Sequence, residues 1–280
     1  MEESSRTVEL MRFADGRLDV ARDRVAVEAP LEVRLNGHPF AVIMRTPGAD
    51  IDLAIGFLFT EGVIRSADDF QRVDAPDEAG AVNVVLSRTR AEILPDLLGT
   101  RRNVVQNSSC GMCGRRSLES LDVDRPPLDV DWRLAVDVIA GYPAALRRAQ
   151  HAFGETGGMH AAGLFDLTGC LEISAEDVGR HNAVDKLLGR TLMARQLPLS
   201  GRALFVSGRS SFEIVQKAFL GGIPLVAAVS APSSFAVDLA RRTGITLLGF
   251  VRNDRFNMYA HPARVLLPTQ DTTAVPSGTR

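Results

Sequence analysis

Cysteine is scarce in this chain, three residues in 280, and so small an odd number excludes a disulfide scaffold and points to free thiols in a reducing compartment. Long apolar runs are missing too. The longest, near residues 51–59 and 223–229, are far shorter than the roughly 20 residues of a membrane helix. Nor is there an excess of one charge: 32 basic against 34 acidic residues leave −2, which supplies no global field toward nucleic acid or an anionic membrane. An anionic partner must therefore be met locally. The opening Met1-Glu2-Glu3-Ser4-Ser5-Arg6 carries acidic side chains with no apolar segment behind it, so no secretory leader is expected. What the chain does have is 45% apolar and 24% charged residues, enough to bury a sizeable core in one large α/β unit or in two domains.

The pattern along the chain favours two. Residues 31–46 alternate as strands around an Asn36-Gly37 turn, and 49–64 form an apolar-faced helix with Asp50 or Asp52 near its cap. A strand over 81–87, a helix over 92–98, a polar loop over 101–114 and a helical turn over 117–121 complete an α+β half. Asp124-Arg125-Pro126-Pro127 is the linker candidate, dividing 1–126 from 127–280. Beyond it strand and helix alternate: helix 131–153, strands 161–165 and 170–175, helix 180–195, strand 203–207, helix 211–220, strand 223–229, helix 235–242, strand 246–251. Such alternation predicts a sheet that is parallel in its later part, with ligands binding beyond the carboxyl ends of its strands. Three loops fall there, 207–211, 230–234 and 252–255. The last residues, 270–280, read as a polar tail.

Ser109-Cys110-Gly111-Met112-Cys113-Gly114 sets two thiols three residues apart among glycines. Half a zinc site, a dithiol switch, an inert pair and a sulfur nucleophile or carrier all fit that spacing. A zinc site needs two further ligands, and no second cysteine pair or close histidine pair is present. A redox switch of thioredoxin type needs a strand–motif–helix setting, whereas a polar loop precedes this motif. Arg101, Arg102, Arg115 and Arg116, with no carboxylate among residues 101–116, favour the thiolate that attacks sulfur. Read alone, those arginines are a solvated basic patch.

The second half carries polar strand ends. Glu176-Asp177-Val178-Gly179-Arg180-His181-Asn182-Ala183-Val184-Asp185-Lys186 spans a strand-to-helix transition, where Asp177 is placed to cap the helix and Asp185, four residues after His181, to orient its imidazole. A capped helix with surface ion pairs is the plainer reading. Gly157-Gly158-Met159-His160 precedes a strand as a turn with a buried histidine, or as a close backbone approach to a ligand. Ser207, Gly208 and Arg209, followed by Ser210-Ser211 at a helix start, offer amides, hydroxyls and a guanidinium suited to phosphate. Arg252-Asn253-Asp254-Arg255 adds two cations and an amide for a purine edge. Each loop alone reads as an ordinary surface turn; together they favour a nucleotide phosphate.

From about Val33 to His261 the chain resembles the formate dehydrogenase accessory sulfurtransferases, the FdhD family. The likeness runs through Gly56-Phe57-Leu58-Phe59-Thr60-Glu61-Gly62, Cys110-Gly111-Met112-Cys113-Gly114, Thr156-Gly157-Gly158-Met159-His160-Ala161-Ala162, residues 176–186, Ser207-Gly208-Arg209, Ser230-Ala231-Pro232-Ser233 and residues 249–255. The resemblance implies a cytoplasmic sulfurtransferase that takes persulfide sulfur from a cysteine desulfurase. It would pass that sulfur to the molybdenum cofactor, as bis(molybdopterin guanine dinucleotide), for formate dehydrogenase. By position Cys110 would carry the persulfide with Cys113 assisting, and Phe250, Val251, Arg252, Asn253, Asp254 and Arg255 match the cofactor-binding segment, where the family often has Gly in place of Asp254. Ser207, Gly208, Arg209, His181 and Asn182 join the expected cofactor-binding set. The resemblance further implies a homodimer and, for the second half, a cytidine-deaminase-like three-layer domain with a mixed sheet. It does not imply deamination, because His160-Ala161-Ala162 lacks the glutamate and the cysteine pair precedes it. The competing functions are a cofactor-binding chaperone that moves no sulfur and a zinc-stabilised structural protein.

Overall fold

The structure, a computed structural model, describes residues 4–75, 80–95, 105–106 and 125–267. It is a mixed α/β arrangement of several sheets. Strands β1 (Ser5–Ala14) and β2 (Arg17–Ala26) form an antiparallel hairpin that turns at Asp15-Gly16, both at positive φ. Met11, Phe13, Leu18 and Val20 alternate with polar residues beside the Asp-Gly turn and pair across the strands, yet all four stay exposed. Next come β3 (Ala29–Leu35) and β4 (His38–Arg45), joined at Asn36-Gly37 as the alternation predicts. With β5 (Phe70–Asp74), β6 (Ala81–Leu86) and β7 (Val105–Gln106) they make a sheet of order β5-β6-β3-β4-β7.

Helix α1 (Asp50–Thr60) begins after Gly48 and Ala49, both left-handed, and neither Asp50 nor Asp52 caps it. Nearby cations take the two carboxylates instead: Asp50 Oδ1 lies 2.9 Å from Arg45 Nε, and Asp52 Oδ2 accepts from Arg190 Nε at 3.1 Å. The described part of the expected helix over 92–98 is preceded by a short α2 (Arg88–Ala91), while 96–98 and the turn expected at 117–121 lie outside the described residues.

In the second half the expected helix over 131–153 is two helices. Residues 134–135 form β8 (Leu134–Ala135), paired in parallel with β15 (Val265–Leu266). Helix α3 (Val136–Ala149) then breaks at Gln150 before α4 (His151–Thr156). The break has a tertiary cause, since the Glu176 carboxylate accepts the N–H groups of Ala152 and Phe153 at 3.0 and 2.8 Å and so supplies a new helix start. The main sheet has the order β10-β9-β11-β12-β13-β14, from β9 (His160–Phe165), β10 (Leu171–Asp177), β11 (Ala203–Val206), β12 (Leu225–Ala228), β13 (Thr246–Gly249) and β14 (Asn257–Ala260). β11, β12 and β13 are parallel, as the alternation predicts; β14 returns antiparallel as an edge.

Helices α5 (Arg180–Met193), α6 (Phe212–Leu220) and α7 (Ser234–Thr243) cover one face, where Leu204, Val206, Val226 and Leu247 point; α3 covers the other, where Phe205, Leu225 and Leu248 meet Tyr142. The first face also receives α1, so a single core spans both halves. Two glycines permit that contact. A Cβ on Gly56 would sit 1.8 Å from the Asp185 carbonyl oxygen, and one on Gly189 would sit 1.9 Å from that of Asp52. Among the described residues no helix is long and apolar enough to cross a membrane.

Candidate functional site

Because β11, β12 and β13 run in parallel, the loops that leave them emerge at one edge and are stitched together there. Ser210 bridges Pro232, the Ser233 N–H donates to the Ser210 carbonyl at 3.0 Å, and the Phe250 N–H donates to the Ser230 carbonyl at 3.2 Å. Beside them lies a cleft of about 700 Å³, lined by Arg147, Gln150, Phe153, His160, Ser207 and Asn253 among others. The Arg147 guanidinium sits 4.4 Å over the Phe153 ring. His160 comes to the edge because β9 is antiparallel to β11; burial and the neighbouring Arg180 hold its imidazole below the usual range.

The expected site residues divide into three sets. Ser207 and Asn253 line the cleft, with the Ser207 hydroxyl accepting the Ala161 N–H at 2.9 Å. Gly208 passes so near His160 that a Cβ there would meet Nδ1 at 3.4 Å. Arg209, Arg252, Asn253, Asp254 and Arg255 are exposed, and the Arg252 N–H donates to the Arg255 carbonyl at 2.8 Å to close the last loop. Phe250 is also exposed, at a left-handed φ of 55° that is strained for a bulky side chain, whereas Val251 is buried in the core beneath α3.

His181 and Asn182 form the second set, buried at the joint with the N-terminal half. Asn182 donates to the Met44 carbonyl at 2.8 Å and to Asp177 Oδ1 at 2.9 Å. His181 does not pair with Asp185, contrary to the helical spacing. Its Nε2 lies 3.0 Å from Ser211 Oγ and 3.4 Å from Glu213 Oε2. Asp185 turns to Lys217, whose ammonium donates to both carboxylate oxygens at 2.8 and 2.9 Å and to Thr60 Oγ1 at 2.9 Å. A buried carboxylate takes the nearest buried cation. Burial pushes the Asp185 carboxyl up to about 6; burial alone would lower Lys217, but Asp185 and Glu213 raise it, so the pair is ionised at neutral pH. Asp177 likewise is not a helix cap in the expected sense. It accepts from Gly179 N, Asn182 Nδ2, Thr46 N and Lys186 Nζ, tying α5 to the end of β4.

The third set is Cys110 and Cys113, which lie outside the described residues. Sequence reasoning missed Arg147, Gln150 and Phe153, hidden within a helix expected to be continuous. No local signal marks the break at Gln150, which the remote Glu176 carboxylate imposes.

The model of the FdhD/NarQ family matches residues 26–266. The "Sulfur carrier protein FdhD" of Streptomyces avermitilis is 48% identical over 271 residues, 92% of this chain and 94% of that protein. The protein of the same name from Sulfurisphaera tokodaii is 45% identical over 250 residues, 88% of this chain and 93% of that one. The crystal structure of a protein described as a formate dehydrogenase accessory protein, from Desulfotalea psychrophila, superposes with a TM-score of 0.76 at 26% identity, covering 94% of this chain and all of that one. The chain belongs to the FdhD/NarQ family.

Proposed function

We propose that this protein is a sulfur carrier for formate dehydrogenase: Cys110 accepts a persulfide sulfur, and the strand-end cleft holds the molybdenum cofactor that receives it. The observation that carries the reading is a strand-end cleft lined by Arg147, Gln150, Asn253 and the Phe153 ring, with Arg209, Arg252 and Arg255 exposed on two of the loops gathered at the same edge. Guanidinium forks suit the phosphates of a guanine dinucleotide, and amides and a ring suit a purine. Names of relatives, which speak of sulfur carriers and a formate dehydrogenase accessory protein, support the same reading. The cofactor is cargo here, and bis(molybdopterin guanine dinucleotide) is its proposed form.

In the first step the Cys110 thiolate, favoured by Arg101, Arg102, Arg115 and Arg116, attacks the outer sulfur of a cysteine desulfurase persulfide; the donor thiolate leaves. In the second, Cys113 attacks the inner sulfur of the Cys110 persulfide. A Cys110–Cys113 disulfide forms, the outer sulfur departs with the bonding pair as sulfide for the metal, and a thiol reductant resets the pair. The order β10-β9-β11-β12-β13, helices on both faces, supports the deaminase-like fold for this half. A cytoplasmic homodimer completes the proposal.

The test is mass spectrometry after incubation with a cysteine desulfurase and cysteine: one added sulfur on Cys110, absent in Cys110→Ala. An unmodified Cys110, or the same added mass in Cys110→Ala, overturns the assignment. A second reading is a cofactor chaperone without sulfur transfer. Full activation of formate dehydrogenase by the Cys110→Ala, Cys113→Ala double variant would establish it.

A further inference from the structure

Two serines stand at N-cap positions on the same edge of the sheet, and they behave differently. Ser233 caps α7 with its own hydroxyl, which accepts the Ala236 N–H at 3.2 Å. Ser211, at the start of α6, makes no capping bond. Its oxygen is engaged sideways by His181 Nε2 at 3.0 Å. The direction of that bond follows from its neighbours. Burial, Arg180 and Lys217 drive the His181 imidazole down to about 2, so it is neutral at physiological pH. The Glu213 carboxylate, 3.4 Å from the same nitrogen, can only accept, which selects the tautomer with its proton on Nε2. His181 therefore donates to the Ser211 oxygen. The hydroxyl proton of Ser211 and the first amides of α6 are left for another acceptor.

A chain of buried polar groups holds His181 in that role: Glu213 is 3.4 Å from Lys217, which is bound to Asp185 and Thr60. A buried ion pair contributes little net stability compared with apolar packing, so its use here is geometric. A second, independent feature lies one residue earlier. The Ser210 hydroxyl is fully buried and has no hydrogen-bond partner among the described residues, although a buried polar group without one is costly.

We propose that His181 is a positioning residue: by donating to Ser211 it converts that serine from a helix cap into a hydrogen-bond donor for a phosphate oxygen, alongside the α6 amides and Arg209. This rests on the reading that the strand-end loops take a nucleotide, and it assigns His181 a place behind the ligand instead of against it.

Guanosine diphosphate titrated calorimetrically into the full-length chain tests the idea. His181→Leu and Ser211→Ala should each weaken binding about tenfold. The double variant should be no weaker than either single one, and His181→Gln, which restores an N–H donor, should recover most of the loss. Circular dichroism checks folding, and Ser211→Ala carries the test if His181→Leu does not fold. Wild-type binding with unchanged affinity in Ser211→Ala, or losses that add in the double variant, overturns the inference. Absence of binding by the wild-type chain overturns the nucleotide reading itself.

Discussion

Gly56→Ala should be among the most damaging single-methyl additions available to this protein. The new Cβ would lie 1.8 Å from the Asp185 carbonyl oxygen and 2.5 Å from its carbon. Ordinary contact begins near 3.4 Å, so α1 and α5 must part by about 1.5 Å, and no side-chain rotation relieves a clash against backbone. Separation loosens the shared core around Leu53, Phe57, Ala183 and Leu187 and draws Asp185 away from Lys217 and Thr60. Overpacking alone costs about 1–3 kcal/mol; with the polar contacts added, a loss of about 3 kcal/mol or more is expected. Urea unfolding followed by circular dichroism measures it as a fall in midpoint at constant slope. Gly141→Ala is the matched control. That glycine is helical, exposed and has nothing within 4 Å of an added Cβ, so alanine should stabilise by about 0.5–1 kcal/mol. A Gly56→Ala protein within about 1 kcal/mol of wild type would refute the claim that backbone contact between these helices joins the two halves.

Lys217→Met should lose about 3–5 kcal/mol in the same assay by stranding a buried Asp185, while the double change Asp185→Leu, Lys217→Met should recover most of it; equal damage in both would refute a compensating pair. His181 makes a pH prediction. Its folded imidazole stays neutral while the unfolded one binds a proton below about 6.5, so its contribution is complete above that pH and falls as the solution is acidified, by up to about 1.4 kcal/mol per unit. His181→Gln should flatten that part of the stability profile between pH 6.5 and 4.5; an unchanged slope would refute the buried neutral histidine. Replacing Arg209, Arg252 and Arg255 together by Gln should weaken guanosine diphosphate binding roughly tenfold to a hundredfold and flatten its salt dependence, and titrations at several ionic strengths would expose an unaltered slope.

Local chemistry decided much of the architecture in advance. Asn36-Gly37 sets a hairpin wherever it is placed between alternating strands, since few residues accept two successive positive φ values. The short apolar strands between helices in residues 203–249 admit little but a parallel sheet with loops gathered at one edge. The Gly-, Ser- and Arg-bearing strand ends marked loops that gather at one edge, and Ser207 and Asn253 stand on one cleft there. Other outcomes depended on partners remote in sequence. Gln150 ends a helix because Glu176 caps the next one, Asp185 prefers Lys217 to His181 because both are buried at one point, and Val251 faces the core while its neighbours face solvent. Backbone preferences act over a few residues and can be read from them. Which buried charge meets which counter-charge depends on where whole helices come to rest, and in this protein that is governed by the close approach of Gly56 and Gly189 across the α1–α5 contact.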